Sequence, residues 1–165
     1  MTFRTVDELL TRQMTGAAGP PAAEQLDLRL VRFARGVAVY EMPLRGEVCD
    51  PSGAVASGVL TTLAEAAMTA AATTTVADGR DESPLVLELC ARFDRVVEGD
   101  ESPLLRAEAV VMRTDSRSAR VEAEVHCNGV RVATFEATYT RERRTRPLDP
   151  LPGLEPAGER SLAHA

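Results

Sequence analysis

The sequence predicts an α+β fold in which an antiparallel sheet of about six strands wraps around one long central helix. Three observations carry this expectation. The run DPSGAVASGVLTTLAEAAMTAAATTT, residues 50–75, is built of small and apolar side chains and reads as a long helix. Two alternating segments precede it and four follow, and alternation of this kind marks half-buried strands. Asn128-Gly129, between the last two segments, is the strongest hairpin signal in the chain, because both residues tolerate the positive φ of a type I′ turn. A single alanine-rich helix cannot cover both faces of such a sheet. One face therefore wraps the helix, and the other, which alternates polar residues with Ala and Val, is expected to be buried in part against a second subunit.

Taken in order, TVDELLTRQM has a capping residue at Thr5 and apolar residues at Val6, Leu9, Leu10 and Met14, which suits a short amphipathic helix. The prolines and glycines between Gly16 and Pro21 make a loop, and LDLRLVRF and GVAVYEMPL then alternate as the first two strands. An irregular stretch from Arg45 to Ala56 delivers the chain into the long helix, which is expected to stop near ADGR with Gly79 as a left-handed cap. PLVLELCARFDRV, SPLLRAEAVVMR, SARVEAEVHC and GVRVATFEATYTRE supply the remaining strands. In the third of these, Val121, Ala123, Val125 and Cys127 face one way and Arg120, Glu122, Glu124 and His126 the other, so its outer face is wet. The tail from Arg143 is proline-rich and non-periodic, expected to be disordered or draped over the surface. The chain thus divides into an N-terminal helix and loop over residues 1–19, one folded domain over 20–142, and a tail over 143–165.

Composition narrows the function classes. With 44% apolar and 27% charged residues, the 165-residue chain is that of an ordinary globular domain. The longest weakly polar run, Ala54 to Ala77, is interrupted by Glu65 and six threonines, so no bilayer span is expected. The start MTFRTVDELLTRQM contains acids and no continuous apolar core, so it does not resemble a signal peptide, and a cytoplasmic protein is expected. Cys49, Cys90 and Cys127 have no metal-type spacing and read as unpaired thiols of a reducing compartment. A net charge of −6 argues against attraction to nucleic acid. All of the positive charge is arginine.

Chemistry concentrates on one acid. Within the helix Glu65 is the lone carboxylate, and Thr62, Glu65 and Thr69, at i, i+3 and i+7, form a narrow polar stripe on an otherwise small or apolar surface. A carboxylate there is costly to bury unless it finds partners or performs work. The order of elements and the segment SGAVASGVLTTLAEAAM resemble the hotdog-fold thioesterases, in particular the phenylacetate-pathway and 4-hydroxybenzoyl-CoA types, over roughly residues 20 to 142. That family carries a loop with an amide side chain, then His-Gly-Gly, then a helix with an Asp or Glu nine residues after the His. Here Ala56 stands in place of the His, Ser57 in place of the first Gly, Gly58 matches the second, and Glu65 matches the acid. Asp50 stands in place of the amide, Thr69 matches a threonine that assists the glutamate in one branch, and Val86 replaces a frequent Ser or Thr.

The resemblance implies a hotdog fold and hydrolysis of an acyl thioester, of CoA or of a carrier protein, with Glu65 as nucleophile or general base. It implies a homo-oligomer, dimer or tetramer, in which helices of two protomers lie side by side and the acid faces a tunnel between them. Asp50, Ser57, Gly58 and Thr69 are the implied substrate-binding residues, with the Ser57 main-chain N–H polarising the thioester oxygen and Ser57 also capping the helix. Neither a metal nor a cofactor is implied. Arg80, Arg92, Arg95, Arg113 and Arg117 are candidates for CoA phosphates. The rivals are a non-hydrolytic hotdog protein binding an acyl thioester or polyketide-like intermediate, a hydratase or dehydratase, for which the loop lacks a His, and a structural domain whose Glu65 is merely paired across a dimer.

Overall fold

The computed structural model describes residues 25–45, 48–76, 82–99 and 104–143. The expected helix at Thr5–Met14, the Gly79 cap and the tail beyond Arg143 lie outside these residues. Six strands and one helix follow in the order β1 (Arg29–Ala34), β2 (Val37–Pro43), α1 (Ser57–Thr73), β3 (Glu82–Phe93), β4 (Leu104–Thr114), β5 (Ser118–Cys127) and β6 (Val130–Arg143). The sheet runs β1-β2-β4-β5-β6-β3, every neighbouring pair antiparallel. This is the α+β hotdog arrangement that the sequence predicts, one helix held by one face of a six-stranded sheet.

Small side chains set the distance between the two layers. A row of facing residues crosses the sheet as Ala38, Ala109, Ala123 and Phe135 on β2, β4, β5 and β6, and all four are buried. Ala107, Ala119, Ala133 and Ala137 extend the alanine floor. Onto it α1 lowers Leu60, Leu63, Ala64, Ala67, Met68 and Ala71, all buried. Alanine opposite alanine lets the helix sit close, and Leu63 and Met68, both fully buried, fill the layer between helix and sheet. On β5, Arg120, Glu122, Glu124 and His126 alternate with buried Ala119, Val121, Ala123 and Val125, the wet and dry faces expected. Asn128 and Gly129 take φ of 48° and 83°, as a type I′ turn requires.

Several strand ends shift by one to three residues, β3 for instance ending at Phe93 rather than Val96, and three boundary differences have a visible cause. β1 begins at Arg29 rather than Leu26, because Asp27 adopts a left-handed φ of 52° and spends its carboxylate on Arg29 (2.8 Å) and Arg45 (3.1 Å). The helix ends at Thr73, before the expected ADGR. There the hydroxyls of Thr73, Thr74 and Thr75 donate to the carbonyls of Thr69, Ala71 and Ala72, and β-branched residues that satisfy the backbone this way end a helix readily. The Gly36 N–H, from the β1–β2 turn, donates to Thr74 Oγ1 (2.6 Å), and Arg141 on β6 donates to the Thr75 carbonyl (3.1 Å), placing a cation where the helix dipole favours one. At the other end Ala56, not Ser57, is the N-cap. The Ala56 N–H is drawn to the Val48 carbonyl (3.1 Å), which fixes Ala56 in an extended conformation and makes Ser57 the first helical residue.

Candidate functional site

Along α1, Gly58, Thr62, Glu65, Thr69 and Thr73 are spaced so that they lie on one line. None of these is buried in the single chain, and Glu65 is exposed. The predicted stripe of Thr62, Glu65 and Thr69 is therefore present. Its members differ in what they do: Thr62 donates back to the Gly58 carbonyl (2.9 Å), whereas Thr69 pairs with the Tyr139 hydroxyl of β6 (3.1 Å). Glu65 has no ion pair or hydrogen-bond partner for its carboxylate among the described residues.

The N-terminus of α1 is held by a loop that uses its own side chains. Asp50 Oδ1 accepts from the Ser52 N–H (2.8 Å), the Ser52 hydroxyl (2.6 Å) and the Ala54 N–H (3.2 Å). The Ser52 hydroxyl first, and then the N–H groups, hold the Asp50 carboxyl below its ordinary pKa. Asp50 is thus the turn-forming residue of the loop, and Oδ2 is the oxygen it has left. Short bridges tie Cys49 to Val55 and Ala54 to Glu98, and the Val55 N–H donates to the Val97 carbonyl (2.8 Å). The described residues of the loop so built take up neither of the first two N–H groups of the helix. Those of Ser57 and Gly58 find no acceptor among the described residues, the usual condition of a helix start and a ready place for a partly negative oxygen.

Glu65 and Ser57 do not meet within one chain. Eight residues at the helical rise put them about 12 Å apart along the axis. A donor must lie about 3 Å from a carbonyl oxygen, with the attacking atom at similar range from its carbon, so the two groups of one helix cannot act on the same carbonyl.

The remaining candidates sort by place. Arg92 is paired with Asp94 (3.0 Å), and Arg80 lies outside the described residues. Arg95, Arg113 and Arg117 form no ion pair among the described residues. Arg95 adjoins the Val97–Glu98 segment that buttresses the start of the helix, whereas Arg113 is near the end of β4 and Arg117 in the β4–β5 turn. An open depression on the outer sheet face is lined by Arg106, Glu108, Glu124, His126 and Asn128, remote from Glu65. Its charges are already engaged: Arg106 bonds Glu41 and Glu108, each at 2.8 Å, and His126 lies 3.5 Å from Glu124. Among the described residues no group of three or more His, Cys, Asp or Glu could hold a metal ion, and no helix is long and apolar enough to cross a membrane. Cys49, Cys90 and Cys127 are free thiols.

Tyr139 is the contact that sequence reading missed. It lies in the inward series Ala133, Phe135, Ala137, Tyr139 of β6, all buried, and it alone of these carries a hydroxyl. A polar atom at an inward strand position was the available signal.

Residues 52–134 match the model of the Thioesterase superfamily. Among solved structures, conserved protein PA5202 from Pseudomonas aeruginosa aligns with a TM-score of 0.69 at 26% identity, over 79% of this chain and 98% of that one. An Asn-to-Asp mutant of the phenylacetic acid degradation protein PaaI from Thermus thermophilus aligns at 0.67 and 27%, over 74% of this chain and all of the other (100%). A thioesterase from Haemophilus influenzae shares the fold with a TM-score of 0.70 at 17% identity, over 87% of this chain and 93% of that one. No curated protein sequence matches the chain.

Proposed function

Because this chain belongs to the Thioesterase superfamily, we propose that it hydrolyses an acyl thioester, of CoA or of a carrier protein, with Glu65 as the nucleophile or general base. The observation that carries the reading is the isolation of Glu65: one carboxylate without a partner among the described residues, on a line of small and hydroxyl side chains that the fold leaves uncovered. On this reading the thioester oxygen accepts from main-chain N–H groups at a helix start, those of Ser57 and Gly58. Glu65 then attacks the acyl carbon, forming a mixed acyl anhydride as the C–S bond breaks and the thiolate leaves, and water opens the anhydride to the free acid and the restored carboxylate; or Glu65 takes a proton from a water that attacks the acyl carbon itself, with the same thiolate as leaving group. Thr69 stands one turn further along as a second polar contact, and Asp50 shapes the loop and offers Oδ2 to the substrate.

The separation of about 12 Å between Ser57 and Glu65 makes the site a property of two chains. β3 is an edge strand with Leu85, Leu87 and Phe93 exposed, and its outer backbone groups have no strand neighbour among the described residues. Pairing β3 with its copy about a two-fold axis continues the sheet and lays the helices side by side in opposite directions. Crossing near Thr61 brings Ser57 of one protomer opposite Glu65 of the other, so that each dimer holds two sites. Arg95, free of carboxylates and near the helix start, is the arginine best situated for a CoA phosphate.

A second reading, binding without turnover, is favoured by one observation: Ala56 gives the loop no side chain to assist Glu65, and Asp50 Oδ1 is spent on the loop itself. Steady-state release of free thiol from a panel of acyl-CoAs separates the two. Hydrolysis that falls by about two to three orders of magnitude in Glu65→Gln supports the thioesterase. Saturable binding with no turnover, indifferent to Glu65→Gln, favours the binding protein.

A further inference from the structure

Tyr139 is fully buried, and the one partner of its hydroxyl among the described residues is Thr69 Oγ1, 3.1 Å away. A buried phenol has a single proton to give and loses stability if it does not give it, so Tyr139 donates and Thr69 Oγ1 accepts. Burial, above all, pushes the Tyr139 pKa up to about 12; the nearby Glu65 charge pushes the same way and the Thr69 bond opposes it. The phenol therefore keeps its proton across the neutral range.

The other threonines of the helix show what Thr69 gives up. Thr61, Thr62 and Thr73 each donate a hydroxyl to the carbonyl one turn back, to Ser57 (2.9 Å), Gly58 (2.9 Å) and Thr69 (2.7 Å). Thr69 makes no such bond to the Glu65 carbonyl; its hydroxyl is turned to β6 instead. Having accepted from Tyr139, it still holds its own proton, and the Glu65 side chain lies one turn away on the same face, with Cβ atoms about 6 Å apart. We infer that Tyr139 is a positioning residue: its hydroxyl anchors Thr69 Oγ1 and so keeps the Thr69 proton available to the Glu65 carboxylate and to a thioester held against it. Without that anchor Thr69 relaxes to the back-bonded state of its neighbours and its proton is lost to the Glu65 carbonyl. The inference rests on the reading of Glu65 given above.

The test is a cycle of Tyr139→Phe, Thr69→Val and the double variant in the full-length protein, with kcat and KM for the acyl-CoA turned over fastest, and Glu65→Gln alongside. Tyr139→Phe is expected to lower kcat about tenfold, the worth of one hydrogen bond, with KM within about twofold. In the Thr69→Val background it is expected to cost nothing further, because Tyr139 acts through Thr69. A merely structural role leaves the two losses to multiply, and that result, or a wild-type kcat for Tyr139→Phe, overturns the inference. An inactive Glu65→Gln beside a fully active Tyr139→Phe removes this inference alone. An active Glu65→Gln removes the reading of Glu65 and the inference with it. Should Tyr139→Phe not fold, 3-fluorotyrosine at 139 keeps the shape and alters the donor. It is expected to change kcat when Thr69 is present and not in Thr69→Val, and no change in either background overturns the proposal.

Discussion

Replacing Ser57 with proline removes one main-chain donor and almost nothing else. Ser57 is the first helical residue, where proline is well tolerated and its missing N–H breaks no helical bond. The residue before a proline must be extended, and Ala56 already is, with φ of −59° and ψ of 131°. The Ser57 side chain is exposed, and its N–H has no acceptor among the described residues, so stability is expected to change by no more than about 0.5 kcal/mol. The rate tells a different story. Deleting one donor from an oxyanion site costs about a hundred- to a thousandfold in kcat, and Ser57→Pro is expected to fall in that range. Mixing then asks where the site is built. Ser57→Pro and Glu65→Gln, each inactive alone, are denatured together, refolded at equal amounts and assayed for thiol release. If each site takes Glu65 from one chain and the Ser57 N–H from its partner, half of the dimers are mixed and each holds one intact site. The mixture then recovers about a quarter of the wild-type rate. A site built within one chain recovers none. Wild-type kcat in Ser57→Pro, or an inactive mixture after confirmed chain exchange, refutes the reasoning.

Leu63 is fully buried in the core between helix and sheet, and truncating it leaves a cavity; Leu63→Ala is expected to cost about 2–5 kcal/mol, read as a lower urea midpoint at unchanged slope. Asp115 is held down to a pKa of about 2, chiefly by the Arg117 N–H, then by the Ser118 hydroxyl and N–H. A depressed folded pKa stabilises above the unfolded value near 3.8 and loses that effect as pH falls through the folded one. The gap in urea midpoint between wild type and Asp115→Asn is therefore expected to be constant above about pH 4.5 and to narrow toward pH 2, and a gap that widens there contradicts the assignment.

How much of this was legible depends on how local the cause is. The β5 limits and the Asn128-Gly129 turn follow from alternation and from backbone angles that few residues accept, both properties of neighbouring residues. The isolation of Glu65 was legible for the same reason, since a helix with a single acid announces it. Asp27 misled the pattern: Leu26-Asp27-Leu28 alternates like a strand, yet the carboxylate recruits Arg45 from eighteen residues away and turns the backbone left-handed. The helix end was misplaced because Gly36 and Arg141, remote in sequence, complete the cap. For Tyr139 the alternation of β6 gives an inward hydroxyl, but its partner is out of reach of any local pattern. Which residue of β6 lies under Thr69 is set by the register that pairs Tyr139 with Ala119 on one side and Val86 on the other.

The same distinction bears on why the acid stands where it does. In a lone chain Glu65 is exposed and costs nothing, and a helix face of Gly58, Thr62, Ala66 and Thr69 around it invites close contact with another surface. Flush packing there buries a carboxylate with no cation beside it, at a penalty of several kcal/mol. Two such faces can approach only if they leave a gap at Glu65 wide enough for water or for a ligand. Small side chains beside it provide that gap without loss of packing elsewhere. On the proposed function, a charge that forbids tight closure and neighbours that permit near approach would together shape a narrow wet channel between two copies of the chain. An acyl thioester in such a channel would meet the carboxylate of one copy and the helix start of the other at similar range, which is the arrangement that the mixed-variant assay tests.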